Sequence, residues 1–523
     1  MPPLRAADLS DLTWVIENNE VTITDCSDFA IGPLTIPETI EGLAVTTIGD
    51  GALSSHGFTS IFLPRSITTI GASSFQSSVS LTEITVDPAN EHYQSQDGVL
   101  FTKPLNRLIA YPSGKTEAHY TFPDGVTTIG DSAFHSCDSL QSIDFPDSLT
   151  VIENEAFYAC LSLTALSFPE GLTSIGDQAF TSCHAFTNLN LPTSLLSLGE
   201  NTFRACSNLA SLTVSPLNQQ FQSQEGVLFT KTLDTLIFYP SAKPETAYVV
   251  PDSVHRIEES AFFYCDTLTS ISLPNGLTSI GNSAFHHCYC LTTLSLPDSL
   301  SSIGDSAFSN CESLTAISVP DSITSLGEST FCDCYSLASI SLPESLTSIG
   351  AFAFSSCDSL TTISLPGNLV ILGHAAFYHC DSLTNLTLPA GLTTIEASTF
   401  SRCESLTSID LPAGLISLGD YAFSYCESLT SISLPDSLSS IGDDSFSHCD
   451  SLTNVSIPNS VTSIGFAAFE DCPGLTTISL PNSLSSLGSY AFYDCIKLTN
   501  LPLPEGLSSI GRHTFQNCDS LTS

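Results

Sequence analysis

Leu268-Thr-Ser-Ile271-Ser-Leu273-Pro274-Asn-Gly-Leu277-Thr-Ser-Ile280-Gly281-Asn-Ser-Ala284-Phe285-His-His-Cys288 is one copy of a unit that fills most of this chain. Its phenylalanine recurs every 23 residues from Phe262 to Phe515 without an insertion, and the same ladder begins upstream at Phe75, Phe134, Phe157, Phe180 and Phe203. A fixed period of this length marks stacked supersecondary units. Within the copy, Ile271 and Leu273 flank Ser272 in strand alternation. Pro274, with no N–H for a ladder, ends that strand. Leu277 and Ile280 form a second short apolar pair, and Gly281 stands where a tight bend is expected. Ala284, Phe285 and Cys288 follow at near-helical spacing, enough for one turn of helix or 3₁₀.

Each coil so read turns about eight side chains inward: Leu268, Ile271, Leu273, Leu277, Ile280, Ala284, Phe285 and Cys288. At roughly 1.5–3 kcal/mol for each large side chain, a coil gains on the order of 10 kcal/mol before entropy is subtracted. Much of that gain arises only when coils stack, so stability is expected to be nearly one-dimensional. The expected fold class is a repeat solenoid, mainly β, of roughly 18 coils.

The pattern Leu-x-x-Ile-x-Leu-Pro-x-x-Leu-x-x-Ile-Gly-x-x-Ala-Phe-x-x-Cys resembles the BspA-like class of leucine-rich repeats, from about Ile16 to Ser523. The resemblance implies a curved superhelix with a parallel sheet on its concave face and short strands, turns or 3₁₀ segments on the convex side. It also implies a secreted or cell-surface protein that binds other proteins or adheres to surfaces.

Twelve Lys and Arg against 54 acids give a formal net charge of −42. Nucleic acid and anionic lipid are therefore excluded as partners. The acids fall in three outward columns: after the proline (Asp298, Asp321, Glu344), after the glycine (Asp305, Glu328, Asp420) and after the cysteine (Glu312, Asp358, Asp381, Glu404). No Lys or Arg lies between Arg256 and Arg402. Two readings stand for these columns, a solubilising coat or a salt-adapted surface that binds Ca²⁺ weakly. Of 19 cysteines, all but Cys26, Cys290 and Cys332 follow the phenylalanine by three residues. That regularity argues for stacked, buried thiols, because disulfides between in-register coils would repeat one strained geometry. The three off-ladder thiols are expected to be the reactive ones.

No apolar run reaches 18 residues, so no membrane span is expected. Met1-Pro-Pro-Leu-Arg-Ala-Ala-Asp lacks the apolar core of a signal peptide, which leaves a cytoplasmic protein or a fragment of a longer product as alternatives to the cell surface. Leu521-Thr522-Ser523 stops just inside a new repeat, which favours truncation or a short open end.

The period breaks in three places. Residues 1–45, with Trp14-Val15-Ile16 and Val21-Thr-Ile23 about a polar turn, are read as a hairpin and cap, and residues 46–523 as the repeats. Two inserts, at about 86–122 and 214–250, resemble each other: Tyr93-Gln-Ser-Gln-Asp-Gly98-Val-Leu-Phe101 and Phe221-Gln-Ser-Gln-Glu-Gly226-Val-Leu-Phe229. Alternating runs split by Asp-Gly or Glu-Gly suggest a β-meander. Lys103, Arg107, Lys115, Lys231 and Lys243 lie in them.

No phosphate loop, HExxH or GxSxG occurs, and no enzyme, cofactor or metal is implied. His286-His287-Cys288-Tyr289-Cys290 is read as a chance cluster, because Cys288 is a ladder residue and zinc needs four convergent ligands. His287, His379 and His448 share a column, too far apart to share one ion. The strands expose mainly Ser, Thr and Asn, with Asp144 and Asp410 as exceptions. Aromatic side chains dominate contact energetics, so Tyr158, Tyr289, Tyr335, Tyr378, Phe466 and Tyr493 join Asp144 and Asp410 as candidate partner contacts. The expected function is a non-enzymatic interaction or adhesion module with an extended acidic surface, for a protein or glycan partner. Its rivals are a passive spacer array and a cation-binding surface protein.

Overall fold

The computed structural model describes residues 5–7 and 9–522. The chain forms two compact units, Met1–Pro244 and Glu245–Ser523. In the second, most coils contribute a short strand, a bend at the proline, a two-residue strand and a double turn. Ser270–Ser272 and Ser279–Ile280 are the strands of the quoted copy. Both lie parallel to their equivalents 23 residues on, Ser270 opposite Thr293 and Ser279 opposite Ser302. A parallel, in-register stack follows from a period without insertions.

Several hydrogen-bond ladders join successive coils, and they differ in polarity. Where the strands begin the donors point backward, the Thr292 N–H to the Thr269 carbonyl at 3.0 Å and the Ser301 N–H to Thr278 at 2.8 Å, while at the end of a first strand the Val319 N–H points forward to Ser341 at 2.9 Å. On the double turn they point forward: the N–H groups of Ser283, Phe285 and His287 donate to the carbonyls of Asp305, Ala307 and Ser309 at 2.8, 2.8 and 3.0 Å. No helix forms there, contrary to the spacing of Ala284, Phe285 and Cys288. Ser283 (φ 51) and His287 (φ 60) are left-handed, and equivalent pairs recur along the chain. A left-handed L-residue costs roughly 1–2 kcal/mol. Alternating hands offset that cost by turning every second N–H out to the next coil, where a helix would spend it internally.

Gly281 also has a different reason from the expected bend. Its φ is ordinary, but a Cβ there would come within 2.6 Å of the Glu259 nitrogen in the preceding coil. Close approach of neighbouring backbones keeps the column small, although Glu153, Glu258 and Glu396 show that some coils accommodate a side chain.

Seven of the eight inward residues of the copy are buried, and Leu273, beside the proline, is half-buried. From Phe262 to Phe515 the phenylalanines form a continuous stack, Phe331 on Phe354 at 5.7 Å and Phe354 on Phe377 at 5.3 Å between ring centres. The cysteines are all free thiols. Most ladder Sγ atoms meet the carbonyl of the phenylalanine one coil back, Cys288 to Phe262 at 3.1 Å and Cys357 to Phe331 at 3.3 Å, and Cys137 meets the Tyr111 carbonyl at 3.8 Å. A small apolar residue with a weak donor fits a site that is buried yet faces a carbonyl. Off the ladder, Cys290 is exposed and Cys332 half-buried. Cys26 departs from expectation: it is packed in the core of the first unit, and burial pushes its thiol up to about 11.

In the Met1–Pro244 unit, Leu12–Glu17 and Glu20–Cys26 pair antiparallel about Asn18 and Asn19, both left-handed. Glu20–Cys26 then runs parallel to Leu43–Ile48. Tyr93–Gln96, Val99–Thr102 and Arg107–Ala110 make an antiparallel meander, as do Phe221–Gln224, Val227–Thr230 and Thr235–Phe238. Asp97 and Gly98, like Glu225 and Gly226, both have positive φ, as a two-residue type I′ hairpin requires. One buried asparagine anchors each meander. Asn90 donates to Pro64 and Ile67 carbonyls and accepts the His92 and Tyr93 N–H groups, and Asn218 repeats the set with Pro192, Leu195, Gln220 and Phe221.

Candidate functional site

The strand face is built for stacking first. Thr269 and Thr292 hydroxyls donate to the carbonyl one coil back at 3.0 Å each, and the Thr278 and Ser301 hydroxyls do the same on the second strand. Much of the Ser/Thr uniformity is thus a hydrogen-bond ladder. Between these columns lie shallow troughs floored by Ser270, Ser272, Ser295, Ser318 and Ser341. Asp144 and Asp410 are exposed on this face: Asp144 Oδ2 is 3.2 Å from His119 Nε2, and Asp410 accepts the Thr387 hydroxyl at 3.3 Å.

The three acid columns separate by what their carboxylates do. After the glycine they hold the backbone: Asp305 Oδ1 accepts the Glu328 N–H at 2.8 Å, and Asp420 Oδ1 the Asp443 N–H at 2.8 Å. After the proline, Glu170 and Glu344 likewise accept N–H groups of the next coil at 3.2 and 3.3 Å. Among the described residues, no carboxylate after the cysteine accepts such a bond. The carbonyls of Glu312, Asp358, Asp381, Glu404 and Glu427 accept N–H groups of the next coil, as Ser382 donates to Asp358 at 3.2 Å, but their carboxylates form an edge outside that ladder.

Beside them runs the left-handed position just before the cysteine, a varied column of the repeat: Tyr264, His287, Asn310, Asp333, Ser356, His379, Arg402, Tyr425 and His448. Its side chains stack on one another, Tyr264 on His287 at 4.3 Å and Tyr425 on His448 at 4.2 Å. The Arg402 guanidinium lies 4.6 Å from the centre of the Tyr425 ring. The sequence marks this column by its histidines, His287, His379 and His448, and nothing in it shows that the position is left-handed or outward. Its variability against an otherwise uniform unit was the available signal.

The aromatic candidates do not form one surface. Tyr289 and Tyr335 follow the cysteine and stand on this edge, Tyr289 with its hydroxyl 2.8 Å from His287 Nδ1 and Tyr335 donating to Asp333 at 3.4 Å. Tyr378 and Tyr493 sit one residue after the phenylalanine and are half-buried. Tyr158, in the first unit, occupies the same position and lies on His135 at 4.8 Å. Phe466 is exposed after the glycine, against Tyr490 at 5.5 Å. In the His286–Cys290 cluster, Cys288 turns inward to Phe262, which removes it from any shared site.

Burial raises the carboxyls of Asp266, Asp358, Asp381, Asp450 and Glu470 above their ordinary range. Asp444 rises furthest, to about 6, by burial and then by repulsion from Glu470 and Asp443. The folded chain therefore binds more protons than the unfolded one between about pH 4 and 6, and its stability falls as pH rises through that window. The melting temperature is expected to be higher at pH 5 than at pH 7.5, by about 2–4 °C for each kcal/mol gained. Asp444→Asn should raise it at pH 7.5 and flatten the pH dependence in thermal melts.

A family model described as "BspA type Leucine rich repeat region (6 copies)" matches residues 23–101, 113–225, 231–346, 324–452 and 416–523. The chain belongs to this family. Its parallel stack is that of the BspA-type leucine-rich repeat, and among the described residues no helix is long and apolar enough to cross a membrane. No curated protein matches the chain. Among solved structures it is similar to a leucine rich cell surface protein from Faecalibacterium prausnitzii A2-165, at 25% identity over 78% of this chain and 94% of that one, TM-score 0.36. A leucine-rich repeat protein from Bacteroides ovatus ATCC 8483 is 24% identical over 99% and 98%, TM-score 0.35. The pneumococcal vaccine antigen PcpA is 19% identical over 98% and 99%, TM-score 0.27.

Proposed function

We propose that this BspA-type repeat protein is a non-enzymatic interaction module whose contact face is the turn edge of the Glu245–Ser523 unit, and that its partner is a protein with a cationic face. The observation that supports this reading is the division of labour among the acid columns. Carboxylates after the glycine, and glutamates after the proline, accept backbone N–H groups of the stack, while among the described residues those after the cysteine accept none and adjoin a varied column of aromatic, histidine and polar side chains. Arg402, stacked on the Tyr425 ring, supports this reading as a guanidinium that the chain itself seats on this edge. Weak Ca²⁺ binding by Glu404 and Glu427 belongs to the same reading.

Binding to an immobilised arginine-rich peptide, an acidic peptide and a panel of neutral glycans tests it, at 50 and 300 mM NaCl. The cationic peptide should bind, weakening about tenfold or more at the higher salt, because steering between opposite charges is screened. Millimolar Ca²⁺ should compete. Selective, salt-insensitive capture of a neutral glycan would point instead to adhesion through the strand face.

A further inference from the structure

On the turn edge, the acids that follow Cys357 and Cys380 bracket one imidazole. Asp358 and Asp381 belong to successive coils, and His379 (φ 57) holds the left-handed position between them. His379 Nδ1 lies 3.3 Å from Asp381 Oδ1 and 3.7 Å from Asp358 Oδ1, and one ligand atom from each residue falls within 4.8 Å of the other two. These separations exceed the ~2.7–2.9 Å of a charge-assisted hydrogen bond. They fit the spacing of donors about a tetrahedral ion, where bonds of about 2.0–2.1 Å put neighbouring ligands about 3.4 Å apart.

A second, independent observation points the same way. Oδ1 of Asp358 and Oδ1 of Asp381 are both closed off from solvent, and neither makes an aligned hydrogen bond, the His379 imidazole facing both at longer range. A carboxylate oxygen withdrawn from water without a donor is costly. An ion held between these oxygens and the imidazole supplies the missing partner. The three side chains remain half-exposed overall, which leaves entry open and lets water complete the coordination. Other histidines of the column lack this arrangement. His287 Nδ1 is engaged by the Tyr289 hydroxyl, and His448 Nδ1 faces Asp471 at 3.2 Å with its ring under Tyr425.

We propose that Asp358, His379 and Asp381 form a site for one divalent transition-metal ion of the Zn²⁺ type. One imidazole nitrogen and two carboxylate oxygens with an open position suit such an ion, whereas Ca²⁺ and Mg²⁺ take oxygen-only sets. The site is independent of the cationic-partner reading: a peptide track attracts charge along its length, and this set fixes one ion at one place.

Calorimetric titration of Zn²⁺ into the full chain carrying Cys290→Ser and Cys332→Ser tests it without competition from those two thiols. One ion should bind, about a hundredfold more weakly in His379→Ala and also more weakly in Asp358→Asn, with His448→Ala unchanged. Co²⁺ should give d–d absorption without a thiolate charge-transfer band. All three positions are half-exposed, so circular dichroism should show the variants folded. Undiminished Zn²⁺ affinity in His379→Ala, or displacement of Zn²⁺ by an equal concentration of Ca²⁺, would overturn the site.

Discussion

Phe354→Ala should destabilise the protein by about 3–5 kcal/mol, the range for removing a fully buried aromatic ring. Phe354 is wholly buried between Phe331 and Phe377, so the substitution removes two ring contacts and opens a cavity bounded by three coils. The damage should stay local. Amides of the neighbouring coils, such as Phe331, Phe354 and Ala375, which donate to the carbonyls of Ala353, Ala376 and Ala397, should exchange faster. Those near Phe469 and Phe492, five coils and more away, should change far less, because each coil touches only its neighbours. Chemical denaturation followed by hydrogen exchange would read both. Uniform loosening of every coil would contradict the one-dimensional account.

Thiol chemistry should show an equally large contrast. Native protein should react quickly with a thiol reagent at no more than about three cysteines, led by Cys290, with half-buried Cys332 and Cys518 slower. Denatured protein should react at all 19. The ladder thiols are protected twice, by exclusion from solvent and by burial that holds the thiolate out of reach. Cys403, for example, is pushed up to about 12 by burial. Cys26 should behave like a ladder thiol despite its place off the ladder. Disulfides between adjacent ladder positions, detected by mass spectrometry, would refute this reading.

The solenoid was legible because Phe, Leu and Cys keep one period, and a constant period leaves stacking as the way to bury them. What each position does within the coil was less legible. Ala284, Phe285 and Cys288 have spacings that a helical turn and an alternating-hand double turn satisfy equally, and only the destination of the Ser283, Phe285 and His287 N–H groups separates the two. Gly281 reads as a bend until the Glu259 backbone is found beside it. Asn90 and Asn218 look like loop residues, yet each makes a buried four-bond anchor, and the only hint was their matching place within two similar inserts. The candidate edge was half legible. The acids after the cysteine were visible as a column, but a sequence does not show which carboxylates the backbone has already claimed. Asp358 and His379 lie 21 residues apart in the chain and become neighbours only when one coil of 23 residues is converted into a step of about 5 Å.

The central claim is that place, and not net charge, makes the acids after the cysteine a contact face. Two triple variants that lose the same three charges test it most directly, each titrated with the arginine-rich peptide at 50 mM NaCl. One neutralises the turn edge, Glu312→Gln with Glu404→Gln and Glu427→Gln. The other neutralises exposed acids after the proline, Asp298→Asn with Asp321→Asn and Asp436→Asn. The account predicts that the first loses affinity by about tenfold or more and the second by less than about twofold. Equal losses in the two would show that the peptide responds only to the total charge of −42, and the turn edge would have no special role.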